Sequence, residues 1–324
     1  MKVLIIGTGW YGCHLAGHLL SKGHSVILVD KSNSFFSGSS SKNQNRLHLG
    51  YHYPRSPETI QECREGYEKF IVTYPQLLTK VPNNYYFIAS QGSKITFDAY
   101  TKLFPHSTVH NSPLSIPIEN VEKNYIRCDE QLILFEKARS FFQDRLINNL
   151  VKIDNTEVFA SVKSISDHLG DDFNYILNCT YNHLEPIEFD HYELFLTLLY
   201  RIDSPELFAY TIMDGNYFSV YPYSIEDKIY TLTSVQYGVI SSEADIDHHK
   251  KKIEAGILKF IPSWTEKTQY IGHYLSYKTK PKTQTDDRSL RYKVDGNRVH
   301  FYGGKITGVF HAESILDEIL LPTA

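Results

Sequence analysis

Short apolar and polar blocks alternate at the start of the chain. Residues 3–6 form an apolar run typical of a buried strand, and residues 10–22 carry apolar side chains at helical spacing. Gly23 is a natural C-cap for that helix, and residues 25–30 form the next strand-like run. This order predicts a strand–helix–strand unit at the N-terminus.

The rest of the chain alternates between helical and strand-like patterns. Ser56 as N-cap and Pro57 as first helical residue predict a helix over about 57–74. Apolar spacing predicts further helices and strands, whereas aromatic-rich segments are typical of short antiparallel strands. The predicted helices cover 93–104, 129–149, 245–260 and 306–320; the predicted strands cover 157–160, 175–179 and 299–302; the aromatic segments are 81–128 and 190–240.

Composition excludes several classes of protein. The 324 residues, with a net charge of -4, are ordinary for a soluble protein of two domains and give no basic field for nucleic acid. No apolar run approaches the roughly 20 residues that cross a bilayer. The cysteines are too far apart for a zinc site or a redox dithiol, which suits a reducing cytoplasm: Cys13, Cys63, Cys128 and Cys179. His248-His249 lacks a third ligand, so we expect no metal site.

The turn after the first strand carries the glycine spacing of a dinucleotide site. Gly7 permits the tight turn, Gly9 lets a pyrophosphate approach the backbone, and Gly12 lets helix and strand pack closely. Asp30, at the end of the second strand, is positioned to accept a hydrogen bond from a ribose 2′-hydroxyl. An acid there disfavours a 2′-phosphate, so the motif predicts NAD or FAD rather than NADP.

Three further stretches resemble the D-amino-acid-oxidase-like FAD-dependent oxidoreductases. The first is the Ser/Asn/Arg-rich run 39–56, SSSKNQNRLHLGYHYPRS, which resembles a cofactor-contacting loop of that family. The second is 175–180, YILNCT, although Tyr181 stands where the family usually has Gly. The third is the closing strand, Gly303-Gly304 and helix, whose N-terminus the resemblance places at the flavin's pyrimidine end.

The resemblance implies an α/β fold in two domains. A Rossmann-like FAD-binding domain would be built from 1–80, 129–188 and 278–324, with an inserted α+β, antiparallel-sheet substrate domain from 81–128 and 189–277. The motif and the resemblance together predict a set of cofactor-contacting residues: Gly7, Gly9, Trp10, Tyr11, Gly12, Asp30, Lys31, Asn43, Asn45, Arg46, Leu47, His48, Val158, Cys179, Thr180, Gly303, Gly304, Lys305, Ile306 and Thr307.

Three residues are candidates for the chemistry. His48 and His52 lie in the loop beside the expected flavin, where a neutral imidazole could act as base, hold the cofactor or simply bond the loop. In some relatives a histidine in this vicinity carries the flavin covalently. Arg288 could hold a substrate carboxylate or phosphate, or pair with Asp286 or Asp287. Arg55 is a second choice for that anion, with a structural role more in keeping with its place after Pro54.

These features predict an FAD-dependent oxidoreductase. It would oxidise a C–N or C–O bond of a small polar metabolite, such as an amino acid, a hydroxy acid or a sugar derivative, by hydride transfer to flavin N5. An NAD-dependent dehydrogenase and a flavin-dependent non-redox isomerase or mutase acting on a sugar nucleotide are the alternatives. Substrate identity, electron acceptor, covalent attachment and oligomeric state stay open at this point.

Overall fold

The computed structural model describes residues 1–170, 172–186, 192–215, 217–279 and 287–320. Its α-helices are α1 (Trp10–Ser21), α2 (Pro57–Thr73), α3 (Phe97–Leu103), α4 (Phe135–Leu146), α5 (Val162–His168), α6 (Ile246–Ile257), α7 (Trp264–Lys267) and α8 (Val309–Leu320). Over these ranges, no helix combines the length and the apolar composition that a bilayer crossing requires.

The strands of the described residues form three sheets. The first has the order β16 (Arg291–Asp295), β17 (Arg298–Tyr302), β9 (Tyr175–Asn178), β1 (Lys2–Ile6) and β2 (Ser25–Val29). The second contains β5 (Asn83–Ala89), β6 (Thr108–His110), β7 (Val121–Arg127), β10 (Tyr192–Ile202), β11 (Phe208–Met213), β12 (Phe218–Ser224), β13 (Ile229–Ser234), β14 (Val239–Ile240) and β15 (Thr268–Thr279). The third has β3 (Arg46–Leu47), β8 (Gln131–Ile133) and β4 (Leu78–Lys80).

The first sheet has the parallel core that the N-terminal pattern predicts. β1 lies between β2 and β9, parallel to both, and β17 continues the parallel order beside β9. Val3 and Ile5 face a core that includes residues of α1, α4 and α8, whereas Leu4 and Ile6 face the opposite cluster around Val162. A strand that is apolar on both faces is typical of a sheet covered by helices on each side.

The second sheet is antiparallel except for the parallel pair β5 and β11. Its aromatic and aliphatic side chains pack with Ile253 and Ile257 of α6 and with Trp264. The structure therefore confirms the predicted fold class, an α/β nucleotide-binding unit with an antiparallel sheet inserted into it. The residue limits of the two domains stay a prediction.

Two predicted elements are wrong in detail. Residues 129–149 do not form one helix, because 131–133 become β8, which pairs with β3 and β4 before α4 begins. Residues 157–160 are not a strand but part of a 3₁₀ turn, Thr156–Ala160. The Asn155 side chain accepts a hydrogen bond from the Glu157 amide and starts that turn.

Candidate active site

A large pocket runs from the carboxyl end of the parallel strands to the inserted sheet. Its volume is about 1000 Å³, at the upper end of the range of about 300–1,000 Å³ common for small-molecule sites. The carboxyl edge of a parallel sheet is where such folds bind their ligands. The pocket wall combines the N-terminal glycine turn, the loop 37–48, the Gly303-Gly304 turn and side chains of β10, β13 and β15.

The glycine turn leaves the amino end of α1 open toward the pocket. Gly7 has φ +103°, and a Cβ added there would lie 2.7 Å from the Cys179 carbonyl oxygen. A Cβ on Gly12 would lie 1.8 Å from the Gly7 carbonyl oxygen, so both positions require glycine. Gly9 is the N-cap and provides no side-chain cap, but the Trp10 amide donates to Ser40 Oγ at 3.2 Å. A phosphate bound at this helix end would therefore share or displace that contact.

Asp30 lines the pocket and also holds the turn together. Its Oδ2 accepts hydrogen bonds from the Thr8 amide at 2.9 Å and the Thr8 hydroxyl at 3.0 Å. Its Oδ1 accepts from the Ser32 amide at 2.9 Å and the Ser32 hydroxyl at 2.6 Å. A ribose hydroxyl that donates to Asp30 would share a carboxylate oxygen with the Thr8 or the Ser32 donors. The predicted ribose contact stays a prediction.

The loop before β3 is shaped by short polar side chains. The Asn43 amide group donates to the carbonyl oxygens of Ser39 and Ser40, both at 2.9 Å, and accepts from the Asn45 amide at 2.6 Å. Asn45 has φ +51°, a left-handed conformation that asparagine tolerates better than most residues. The Ser/Asn composition that marked this loop in the sequence therefore determines its path.

Arg46 is the centre of a buried polar cluster where this loop meets the inserted sheet. Its Nη1 donates to the Tyr86 hydroxyl at 2.6 Å, the Thr211 hydroxyl at 3.1 Å and Glu130 Oε2 at 3.2 Å. Its Nη2 donates to Ser219 Oγ at 2.8 Å, and its guanidinium carbon lies 3.9 Å from the centre of the Tyr221 ring. We call these six residues the Arg46 cluster.

His48 and His52 lie beside the Arg46 cluster. His52 Nδ1 is 2.6 Å from the Tyr86 hydroxyl, and His48 Nδ1 is 3.6 Å from Glu130 Oε1. Burial lowers the pKa of both imidazoles well below the ordinary value, and the nearby Arg46 and Lys305 charges lower these pKa values further. Both rings are therefore neutral at physiological pH.

The donor atoms of His48, His52 and Glu130 lie within 4.8 Å of one another, close enough for a metal ion. However, Glu130 already accepts hydrogen bonds from Arg46, from the Tyr86 hydroxyl and from the Leu49 amide. A second cation beside Arg46 would be repelled in this buried position. We assign no cation to this group, and the expected absence of a metal stays a prediction.

The opposite wall is built by the Gly303-Gly304 turn. A Cβ on Gly303 would lie 1.7 Å from the Tyr11 hydroxyl oxygen, which donates to the Lys305 carbonyl oxygen at 2.9 Å. The half-buried Lys305 side chain lines the pocket, and its Nζ contacts the Tyr53 hydroxyl. Burial, helped by the Arg46 charge, lowers the pKa of the Lys305 amine to about 7.

Arg288 lines the pocket from the turn before β16. Asp287 does not pair with it but with Arg291, at 3.3 Å between Oδ2 and Nη2. Asp286, the other predicted partner, lies outside the described residues. Arg55, the second choice for an anion, instead contacts the buried Asp214 carboxylate.

The structure places most predicted site residues on the pocket wall, but not all. Those that line it are Gly7, Gly9, Trp10, Tyr11, Asp30, Lys31, Asn43, Arg46, His48, His52, Cys179, Thr180, Arg288, Gly303, Gly304, Lys305 and Ile306. Five lie outside it: Gly12, Asn45, Leu47, Val158 and Thr307. Gly12 packs beneath the turn, Leu47 and Val158 lie in apolar cores, Asn45 is buried behind the loop, and Thr307 packs against Gly66 of α2.

Sequence reasoning missed Tyr53, Tyr86 and Glu130. Glu130 fell in a segment predicted to be helical, and Tyr86 belongs to an aromatic run in which only the tertiary fold distinguishes one tyrosine from the next. Tyr53 lies between His52 and Pro54, in the loop that contains both candidate histidines. That position is the one signal in the sequence that indicates it.

A glycine turn, a polar second loop and a Gly-Gly helix start around one pocket define a flavin-type dinucleotide enzyme. Residues 2–94 match the family model described as FAD dependent oxidoreductase. The FAD-dependent monooxygenase FPY4 of Fusarium mangiferae is 32% identical over 97% of this chain and 90% of its own length. The FAD-dependent monooxygenase kojA of Aspergillus flavus is 28% identical over 96% of this chain and 84% of its own.

Solved structures show the same fold. Glycine oxidase from Geobacillus kaustophilus superimposes with a TM-score of 0.70 at 10% identity, covering 98% of this chain and 94% of that one. L-proline dehydrogenase from P. horikoshii superimposes with a TM-score of 0.65 at 10% identity, covering 97% of this chain and 90% of that one. The chain belongs to the FAD-dependent oxidoreductase family. This confirms the predicted family, the enzyme class and FAD as the cofactor, and it favours FAD over the NAD alternative.

Proposed function

We propose that the protein oxidises a C–N or C–O bond of a small polar metabolite that carries a carboxylate or phosphate. The metabolite would bind where the inserted sheet closes the pocket, with its anionic group at Arg288 and its reacting carbon over the flavin.

The residues present fit FAD. The amino end of α1, where only the Ser40 hydroxyl meets the Trp10 amide among the described residues, is suited to the pyrophosphate. Gly303 has no room for a side chain where the chain passes Tyr11. A bound FAD supplies a two-electron acceptor at N5 of its isoalloxazine ring. The protein's part is to orient the metabolite, exclude water and receive the proton that the oxidised bond releases.

The guanidinium of Arg288, which no described carboxylate pairs with, is the observation that carries this proposal. Its backbone amide donates to the Thr59 hydroxyl at 2.8 Å, which fixes the turn against the start of α2. Asp287 accepts from Ser289 and pairs with Arg291. Within the described part of the chain, no carboxylate pairs with Arg288, so its planar donors are free for a carboxylate or phosphate.

Anaerobic flavin reduction tests the proposal. Purified FAD-loaded protein is mixed with glycine, L-proline, iminodiacetate, D- and L-alanine, D- and L-lactate, L-malate and D-gluconate, and the bleaching of the oxidised flavin is recorded. We expect bleaching by at least one of these anions. Bleaching by none of them would contradict the proposal and favour the isomerase or mutase alternative, which has no net redox change.

An Arg288→Gln variant tests the anion contact. Losing one partner of a hydrogen-bonded charge pair costs about 2–5 kcal/mol, so the substrate Kd should rise at least about 30-fold. Arg298→Gln is the matched control, because Arg298 does not line the pocket and faces Glu185 at 3.8 Å. Equal Kd values for Arg288→Gln and wild type would show that another residue binds the anion.

A further inference from the structure

We propose that the amine of Lys305 accepts the proton that the substrate's hydroxyl or amino group loses during oxidation, with Tyr53 as the residue that positions it. This inference rests on the proposed function and adds the identity of the base. His48 and His52, the candidates that the sequence indicates, are replaced in that role by a lysine from the opposite wall.

The geometry of the pocket wall favours Lys305. Its Nζ contacts the Tyr53 hydroxyl and lies above the Tyr53 ring, 4.2 Å from the ring centre. Among the residues that the structure describes, no carboxylate lies within ion-pair distance of this amine. A lysine that lines a substrate pocket without a counterion can give up its proton, whereas a lysine paired with a carboxylate stays charged.

The two histidines are less suited to the same task. His52 directs Nδ1 at the Tyr86 hydroxyl, and His48 has its Nδ1 turned toward the buried Glu130. Burial holds the pKa of both rings well below the ordinary value, so neither stores a proton near neutral pH. The lowered pKa of Lys305, about 7, lies instead where a general base works best.

The charged and titratable groups around Lys305 come from several elements. Arg46 of β3 repels a proton on the amine, and His48 and His52 from the following loop are neutral. Tyr53 contacts Nζ, and Tyr11 of α1 bonds the Lys305 carbonyl oxygen. The phenol of Tyr11 has its pKa raised well above the ordinary value by burial, so it stays protonated.

The step balances as a two-electron oxidation. The carbon–hydrogen bond of the substrate breaks and its electron pair leaves with the hydrogen as hydride, which reduces the flavin. The O–H or N–H bond breaks at the same time, its electron pair forms the second bond of a C=O or C=N group, and its proton moves to the neutral Lys305 amine. Lys305 then carries the positive charge until solvent removes the proton.

Amine labelling tests the protonation state without any substrate. FAD-loaded protein is treated briefly with acetic anhydride between pH 5 and 11, and acetylation of Lys305 is followed by mass spectrometry. We expect its reactivity to rise with a midpoint near 7, and the exposed Lys251 of the same protein is the internal comparison. A Lys305 midpoint equal to that of Lys251 would overturn the inference.

Single-turnover reduction tests the role itself, with the compound that bleaches the wild-type flavin. We expect Lys305→Met to lower the reduction rate constant about 10²–10⁴-fold and to remove its decline below pH 7, with little change in Kd. Lys305→Arg keeps the positive charge but cannot deprotonate, so it should not rescue the rate. Lys251→Met is the control and should behave as wild type.

The outcomes separate the two proposals. If no panel compound reduces the wild-type flavin, the proposed function fails and this role fails with it. If wild type is reduced but Lys305→Arg restores the rate and pH profile, only the charge matters and the proton-acceptor role is overturned. If His48→Gln removes the decline of the rate constant below pH 7 and Lys305→Met leaves it unchanged, the proton-acceptor role is overturned as well.

Discussion

Arg46 and Lys305 line the same pocket, yet their surroundings are opposite. Arg46 is enclosed by the Glu130 carboxylate, three hydroxyl groups and an aromatic face. Burial alone would lower the pKa of its guanidinium, but Tyr86 and Glu130 raise this pKa above its ordinary value. Lys305 has the Tyr53 phenol and, among the described residues, no carboxylate at ion-pair distance, so burial and the Arg46 charge lower its pKa to about 7. Burial lowers the pKa of both groups, and the partners of Arg46 reverse that shift, whereas Lys305 keeps it.

The largest expected effect comes from removing the satisfied cation. Arg46→Met leaves Glu130 buried without its counterion and should lower the free energy of unfolding by about 3–5 kcal/mol. Urea denaturation of FAD-saturated protein measures this loss. The matched control is Arg139→Met, which removes an exposed pair with Glu136 and should change stability by less than about 1 kcal/mol. A small loss for Arg46→Met would show that the cluster is replaceable.

Removing Lys305 should raise the free energy of unfolding, whereas removing Arg46 should lower it. Lys305 has a folded-state pKa of about 7, whereas an unfolded lysine titrates near about 10.4. The unfolded chain therefore binds more protons than the folded chain between these two pH values, so the free energy of unfolding falls as the pH falls from about 10 to about 7. Below pH 7 the destabilising effect of Lys305 is present in full. We expect Lys305→Met to raise stability at pH 6 by about 1–2 kcal/mol, with a smaller gain at pH 9. Equal destabilisation at both pH values would contradict the contrast with Arg46.

The histidines beside the cluster should make the protein acid-sensitive. Their lowered folded-state pKa means that the unfolded chain binds more protons below about pH 6.5, so stability falls as the pH falls through that region. Each histidine contributes a slope of at most about 1.4 kcal/mol per pH unit. His52→Gln should flatten the decline between pH 6.5 and 5 in urea denaturation, whereas the exposed His106→Gln should leave it unchanged.

The two cations also differ in how much of their role the sequence predicts. The glycine turn and Asp30 follow from spacing along the chain, and the Gly303-Gly304 helix start follows from the family resemblance. Residues of all three line one pocket, and their contacts with the cofactor stay a prediction. The Arg46 cluster draws on β3, β5, β11, β12 and the residue before β8, which only the tertiary fold brings together. Its residues carry no common spacing, and Lys305 was predicted only to contact the cofactor because its counterions cannot be counted in a sequence.

The last comparison distinguishes the two tyrosines of the cluster. The Tyr86 hydroxyl bonds Arg46, Glu130 and His52, whereas the buried Tyr221 hydroxyl has no hydrogen-bond partner among the described residues and contributes its ring face to Arg46. Tyr86→Phe should therefore lower the free energy of unfolding by about 1–3 kcal/mol.

Tyr221→Phe removes the same atom without removing a bond. Because an unpaired buried hydroxyl is costly, this variant should be unchanged or more stable by up to about 1 kcal/mol, and the ring face beneath Arg46 is kept. The pair is measured side by side by urea denaturation at pH 7. Equal losses for both variants would mean that the hydroxyls are interchangeable, and that the hydrogen bonds around Arg46 do not set its stability.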